Sequence, residues 1–463
     1  MTAEGLDAAR KKMRDGGVHP TAIEVFSHYY RQLESGATGI VAESDIEPLS
    51  QPTRLDDLDA DPDAGREALD ATAVIKLNGG LGTSMGMQQA KTLLPVREGL
   101  TFLDIIVRQV LHARAELGVR LPLIFMDSFR TSDDTLAALS SYADLAVDGL
   151  PLDFMQNREP KLRADDLTPA EWPDDPSLEW CPPGHGDVYT ALAASGVLER
   201  LLATGYRYAF LSNADNLRAT ADARVAGWFA SNGAPFSSEV CRRTTADRKG
   251  GHLAIRRRDN QLVLRETAQT APEDAHAFAD LTRHGYFNCN NLWIDLQALE
   301  ATLRESGGVL ALPLIRNAKT VDPADPSSPA VIQIETAMGS AVEVFFGAQA
   351  LEVGRTRFLP VKSTNDLLVL RSDVYELGDD YSVQLAGGLW EAPFVDLDPD
   401  HYKLVKDFDS RFPAGPPSLV KATSLRVQGD WTFAPGAEVE GVTDITAEGS
   451  PGSWPPGGSA SER

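Results

Sequence analysis

The run Thr72 to Leu77 (TAVIKL) passes directly into LNGGLGTSMG, so the chain must build a buried strand that ends in a glycine loop. A short apolar, β-branched run of this length reads as a strand covered on both faces. Gly79, Gly80, Gly82 and Gly86 then let the backbone turn tightly and approach a ligand closely. Successive free N–H groups in such a turn form an anion-binding nest, to which Lys91 can add a full positive charge. Two familiar phosphate motifs fit poorly. The dinucleotide fingerprint needs G-x-G-x-x-G/A opening a helix and an acid about 20 residues on, and Asp104, near that distance, falls on a predicted helix. The P-loop needs Gly-Lys-Ser/Thr after the glycines, which is absent. By itself the segment is either a phosphate cradle or a structural glycine turn.

From residue 71 onward strands and helices alternate. TFLDIIVRQVLHARAELG (101–118) reads as a helix capped by Thr101 and Asp104, LPLIFM (121–126) as a second strand and YRYAFLS (206–212) as a third. That alternation implies an α/β layered domain with a mainly parallel sheet, whose ligands bind outside the carboxyl ends of the strands. The glycine loop and Asn213-Ala-Asp215 both lie at such ends. Residues 1–70 read as an N-terminal helical segment and connector. Ile23, Phe26, Tyr30 and Leu33 share one helix face, Thr21 and Glu24 are a predicted capping box, and acid- and proline-rich residues 43–70 are expected to be extended. The main domain is expected over 71–395. In 396–446, Val427, Phe433, Val439 and Ile445 recur every six residues, as do Leu425, Trp431, Ala437 and Thr443. Such hexads are a β-helix signature, though so few also fit two short strands. Gly/Ser/Pro-rich residues 447–463 are expected to be disordered.

Net charge is −24, which argues against nucleic-acid or anionic-membrane partners and gives weight to a lone lysine beside a glycine turn. Cys181, Cys241 and Cys289 lie far apart, without metal spacing, as suits a reducing cytoplasm. Neither a secretion signal nor a long apolar span is read in the sequence, so a cytoplasmic location is expected.

Four further segments carry chemistry. Pro182-Pro-Gly184-His185-Gly-Asp187 presents a histidine between glycines, a candidate ligand group. Asp215 places a carboxylate after a strand, as Mg²⁺ with substrate phosphates would require, or else it or Asn216 caps a helix. Phe287-Asn288-Cys-Asn290-Asn291-Leu-Trp293 sets three carboxamides beside aromatics, able to bind sugar hydroxyls or turn backbone. Arg357-Phe-Leu-Pro-Val-Lys362 offers a second lysine after an apolar stretch.

In order, LNGGLGTSMG…K, PPGHGDVY, LSNADN, KGGHL, FNCNNLW, IETAMGSA and RFLPVKSTNDLL resemble the eukaryotic-type UDP-glucose pyrophosphorylase (UTP–glucose-1-phosphate uridylyltransferase) family over about residues 20–445. The resemblance implies a Rossmann-like nucleotidyltransferase core in 71–395 and a short C-terminal left-handed β-helix. It implies uridine and phosphate contacts from Leu77, Asn78, Gly79 and Gly80, with Gln156 and Gly184 near the uracil and Asn213 near the ribose or sugar. His185 would touch the sugar phosphate, and Glu266, Asn290 and Asn291 the glucose, with the choice among Asn288, Asn290 and Asn291 left open. Asp215 would hold Mg²⁺; Lys91 and Lys362 would neutralise phosphates as the catalytic pair. Departures are Gln89-Ala90 where Gly-Pro often precedes the lysine, Cys289 for a usual Thr, and a short C-terminal part.

The implied activity is reversible, Mg-dependent transfer of uridylyl from UTP to glucose 1-phosphate, with both as small-molecule partners and a homo-oligomer compatible with the family. The alternatives are a pyrophosphorylase for N-acetylhexosamine 1-phosphate or several sugars, and a non-catalytic nucleotide-sugar sensor. A nicotinamide dehydrogenase, suggested by glycines alone, is the weakest.

Overall fold

The computed structural model describes residues 3–59, 61–244, 247 and 250–455. Its centre is a large mixed sheet. The main path runs Thr53–Arg54, Gln349–Glu352, Phe236–Arg242, Tyr286–Asp295, Tyr208–Asn213, Thr72–Leu77, Leu123–Asp127, Asp153–Met155. All neighbours on this path are parallel except the two pairings made by Tyr286–Asp295, which runs antiparallel to both flanking strands. A hairpin, His252–Arg256 with Gln261–Arg265, and the Ile46–Pro48 strand join it at one side.

Alternation along each strand divides the core into two layers. Val74, Phe125, Phe210 and Trp293 pack with the Phe102–Leu117 helix on one face. Ala73, Ile75, Ile124, Ala209 and Leu211 pack with Val188, Leu192, Leu198 and Leu201 on the other. The Phe102–Leu117 helix starts as its sequence predicts, with Thr101 and Asp104 exchanging side-chain and backbone bonds, and it stops at Gly118 in the left-handed region (φ 64°).

The N-terminus departs from expectation in two places. The second helix (Pro20–Glu34) begins two residues earlier than a Thr21 cap would allow, with His19 at the cap. Pro20, whose fixed φ suits the first helical position, starts it, and the His19 side chain accepts the Thr21 N–H. Glu24 meets Arg10 instead of closing a capping box. Nor is 43–70 merely extended: it contains the Ile46–Pro48 and Thr53–Arg54 strands and the Pro62–Asp70 helix, which Asp61 caps. Short strands that borrow partners from distant parts of the chain, at His252–Arg256 and Gln349–Glu352, leave no periodic trace in their own sequence.

The C-terminal part forms parallel pairs. Ser418–Val427 lies between Phe394–Leu397 and Glu438–Ile445, and Trp431–Phe433 pairs with Gly452–Trp454. Leu425 pairs with Thr443 and Val427 with Ile445, and Leu425, Val427, Trp431, Phe433, Ala437, Val439 and Ile445 are buried in the core. The hexads therefore mark inward positions, except at Thr443, which is only partly buried. The expected disorder of 447–463 does not hold for its first part, because residues 452–454 are a paired strand whose Trp454 packs against Phe433; residues 456–463 lie outside the described residues. No described helix is long and apolar enough to cross a membrane.

Candidate active site

Parallel pairing of Thr72–Leu77 with Tyr208–Asn213 sets Leu77 opposite Asn213. Two strands that end level must release their loops side by side, so the glycine loop and the Asp215 loop leave the sheet together. A cavity of about 340 Å³ opens there. Leu77, Asn78, Gly80 and Lys91 line it from one loop, Asn213 and Asp215 from the other. His185, Asn290 and Lys362 complete the wall from remote parts of the chain. Its volume is in the range of small-molecule sites.

The glycine loop is shaped by close approach. At Gly79 a Cβ would lie 2.5 Å from the Gln156 Oε1, so only glycine lets that amide rest on the loop. Gly82 has φ 65° and carries the chain into a single 3-10 turn, from which Lys91 returns with its N–H on the Gly80 carbonyl at 3.3 Å. The N–H groups of Gly79 and Gly80 have no acceptor among the described residues. The Asn78 side chain faces inward: its Nδ2 donates to Asp127 Oδ1 (2.8 Å) and Thr135, and its Oδ1 accepts from Thr92. It pins the start of the loop to the next strand, as does its backbone N–H, which donates to the Met126 carbonyl at 2.8 Å.

Asp215 is the electrostatic centre. Its Oδ2 accepts from Lys91 Nζ at 2.9 Å and from Lys362 Nζ at 2.8 Å, while its Oδ1 is buried with no hydrogen-bond partner. Burial alone would raise this carboxyl, but the ammonium groups of Lys362 and Lys91 outweigh it and hold it below the ordinary carboxylate value. Lys91 also donates to the Val361 carbonyl. Lys362 sits in the loop before the Thr364–Arg371 helix, with its N–H on Asp366, and its side chain is 62% exposed. Neither Asp215 nor Asn216 caps a helix; Asn216 is buried.

His185 is held by Met338, whose backbone N–H donates to its Nδ1 at 3.0 Å. Burial, reinforced by the charge of Lys362, pulls this imidazole down to about 4, so it is neutral near pH 7. With Nδ1 accepting, the neutral ring carries its proton on Nε2, a donor for an anion. Gly184 (φ 80°) is packed so closely on Thr336 that a Cβ would lie 2.5 Å from that residue's carbonyl oxygen.

Five expected site residues are not on the cavity wall: Gly79 and Gly184, packed on Gln156 and Thr336 as described, and Gln156, Glu266 and Asn291. Gln156 reaches the glycine loop from a neighbouring groove. Glu266 closes on Gly251, where a Cβ would meet its carboxylate at 2.5 Å, and it is raised by burial. Asn291 is fully buried, its Nδ2 donating to Glu239 (3.0 Å) and to the Arg357 carbonyl (3.2 Å). Of the three asparagines, Asn290 lines the cavity, in the left-handed region at φ 55°, and accepts from Asn288 Nδ2. Lys249 of KGGHL lies outside the described residues. Sequence reasoning missed Met338, Thr336, Val361 and Asn216 as neighbours of the site, although the IETAMGSA, LSNADN and RFLPVK segments contain them.

A family profile described as UTP–glucose-1-phosphate uridylyltransferase matches residues 23–440. The enzyme of that name from Solanum tuberosum is 38% identical over 398 residues, 85% of this chain and 81% of its own. A probable one from Schizosaccharomyces pombe is 35% identical over 429 residues, 91% of this chain and 83% of its own. A crystallised point mutant of the UDP-glucose pyrophosphorylase of Leishmania major, in complex with UDP-glucose, superposes with a TM-score of 0.90 at 42% identity, covering 98% of this chain and 97% of that one. A Trypanosoma brucei structure described as UDP-glucose phosphorylase gives 0.88 at 41% identity, covering 96% and 95%. With the glycine loop, Asp215 and both lysines converging on one cavity, the chain belongs to the UTP–glucose-1-phosphate uridylyltransferase family.

Proposed function

We propose that the protein transfers the uridylyl group of UTP to glucose 1-phosphate, giving UDP-glucose and pyrophosphate. The observation that carries this is the convergence of Lys91 and Lys362 on Asp215 in the cavity that also receives the glycine loop. The attacking group, a sugar phosphate oxygen, is already an anion, so no protein nucleophile is required. The phosphate oxygen bonds to the α-phosphorus as the bond to the pyrophosphate oxygen breaks. The protein's task is to bring two polyanions together and stabilise the crowded charge.

The Gly79 and Gly80 N–H groups cradle the nucleotide phosphates, with Leu77 and Asn78 beside the uridine. Gln156 and Gly184 read the uracil, and Asn213 lies near the ribose. Lys91 and Lys362 exchange part of their hold on Asp215 for phosphate oxygens. His185 donates Nε2–H to the sugar phosphate. Asn290 and Glu266 bind sugar hydroxyls, and Asn291 acts from behind through Glu239 and Arg357. Asp215 fits Mg²⁺: its free, buried Oδ1 is a carboxylate oxygen awaiting a partner. No group of three His, Cys, Asp or Glu residues among the described ones would hold a metal, so remaining ligands would come from phosphates and water. Bound there, the cation supplies charge neutralisation to the phosphates. We read residues 396–446 as a short β-helix-like domain, a reading supported by the 18-residue offset between Val427 and Ile445, three of the hexads, and we place the enzyme in the cytoplasm.

Purified protein mixed with UTP, Mg²⁺ and a panel of sugar 1-phosphates tests the assignment. Pyrophosphate release with glucose 1-phosphate is expected to exceed that with N-acetylhexosamine 1-phosphates. Nucleotide-sugar binding without turnover would point to a sensor instead.

A further inference from the structure

Asn216 follows Asp215 directly in sequence, yet it is 2% exposed and absent from the cavity wall. Its Oδ1 accepts the Leu359 N–H at 2.8 Å and the Arg218 N–H at 3.3 Å. Its Nδ2 donates to the Arg357 carbonyl and to Asn291 Oδ1, both at 3.3 Å. The backbones meet as well: Asn216 and Pro360 form an antiparallel bridge, and the Val361 N–H donates to the Asp215 carbonyl at 3.2 Å. Beneath this clamp lies a sealed ion pair. Arg357 Nε and Nη2 donate to the two oxygens of Glu239 at 2.8 and 2.7 Å, and Asn291 and Trp293 donate to the same carboxylate.

We propose that Asn216, seated on the Glu239–Arg357 pair, is a positioning residue for uridylyl transfer. It sets the Asp215 carboxylate against Lys362 and against the Val361 carbonyl that holds Lys91. The exposed Lys362 has little packing of its own, so its place follows its backbone, and that backbone is stitched to the Asp215 loop at Leu359, Pro360 and Val361. Transfer between two bound anions is steeply sensitive to such spacing, since a misplacement of about 1 Å can cost about 100-fold. The inference rests on the proposed function and adds a residue that touches no substrate.

The test uses the full chain and initial rates over both substrate concentrations, normalised to folded protein by circular dichroism. Asn216→Ala is expected to lower kcat at least 30-fold, with KM for UTP and for glucose 1-phosphate within threefold. Asn216→Ser, whose hydroxyl can accept the Leu359 N–H, is expected to recover at least fivefold of that loss. Should Asn216→Ala not fold, Asn216→Ser carries the test alone, with kcat expected more than threefold below wild type at similar KM. A kcat within threefold of wild type, or a loss that follows the folded fraction alone, overturns the positioning role. A wild-type protein that releases no pyrophosphate overturns the proposed function and this role with it; an active wild type beside an unimpaired variant overturns the role alone.

Discussion

Glu239 and Asp215 are both carboxylates gripped by cationic side chains, one sealed in the core and the other at the cavity. Glu239 is fully buried and its two oxygens together receive four donors: Arg357 Nε and Nη2, Asn291 Nδ2 and Trp293 Nε1. Asp215 gathers both lysines on one oxygen and leaves the other without a partner. A saturated buried pair has nothing to exchange, and breaking it strands a charge in the core. An unsaturated pair beside a cavity can trade its cations for a ligand's phosphates. On the proposed function, carboxylates paired with cations serve architecture in one place and reaction in the other, and satisfaction of the acceptors separates the two.

The largest expected effect comes from breaking the sealed pair. Arg357→Met should cost about 3–5 kcal/mol of stability, because it leaves the Glu239 charge buried and uncompensated; urea unfolding measures it, and a cost under about 1 kcal/mol would erase the contrast. At the open pair the loss should appear in rate instead. Lys362→Ala should lower kcat at least about 100-fold, the scale of removing one preorganised stabiliser, while the unfolding midpoint stays close to wild type because the side chain is largely exposed. A variant within threefold of wild-type kcat would remove Lys362 from the machinery.

Acid titration sharpens the same comparison. The Asp215 carboxyl is depressed in the folded protein, so as pH falls the unfolded chain takes up its proton first. Its contribution to stability is therefore complete above the ordinary carboxylate value of about 4 and drains away as pH drops through the lower folded value. Asp215→Asn should flatten that part of the stability curve relative to wild type, as urea midpoints between pH 3 and pH 6 would reveal. The smallest effect belongs to an ion pair whose cation is half exposed. Arg207 meets Asp295 at 3.1 Å with its side chain 52% exposed, and Arg207→Ala should cost at most about 1 kcal/mol. A larger loss would mean that exposure does not separate these pairs.

Much of the site was legible before the fold was known. Lys91, His185, Asp215 and Lys362 stand out because each follows a glycine turn or an apolar run, where a solvated surface role fits poorly, and all four line the cavity. The Phe102–Leu117 helix was legible to its cap, because its cap residues and periodicity are local. The Ile46–Pro48 and Thr53–Arg54 strands were not, since each is short and owes its conformation to partners about 200 to 300 residues away, at Ala254–Arg256 and at Leu351 and Glu352. The start of the Pro20–Glu34 helix was misread because a capping box and a first-turn proline compete, and the proline's fixed φ won. In the sequence Asn216 reads only as a helix cap, because nothing local announces a clamp whose other half lies at Leu359.

The sequence by itself determined the strand that ends in glycines, the charged residues placed at strand ends and the family, because glycine freedom, apolar periodicity and motif order are local properties. Only the tertiary structure decided that Asn290 faces the cavity while Asn291 serves the core, since Asn290 sits in the left-handed region (φ 55°) where the pairing with Phe236–Arg242 shifts register, and such an irregularity re-aims side chains. It likewise decided that two lysines 271 positions apart (362 minus 91) share one carboxylate oxygen. Distances of that kind come from strand register and buried hydrogen bonds, which no single segment contains.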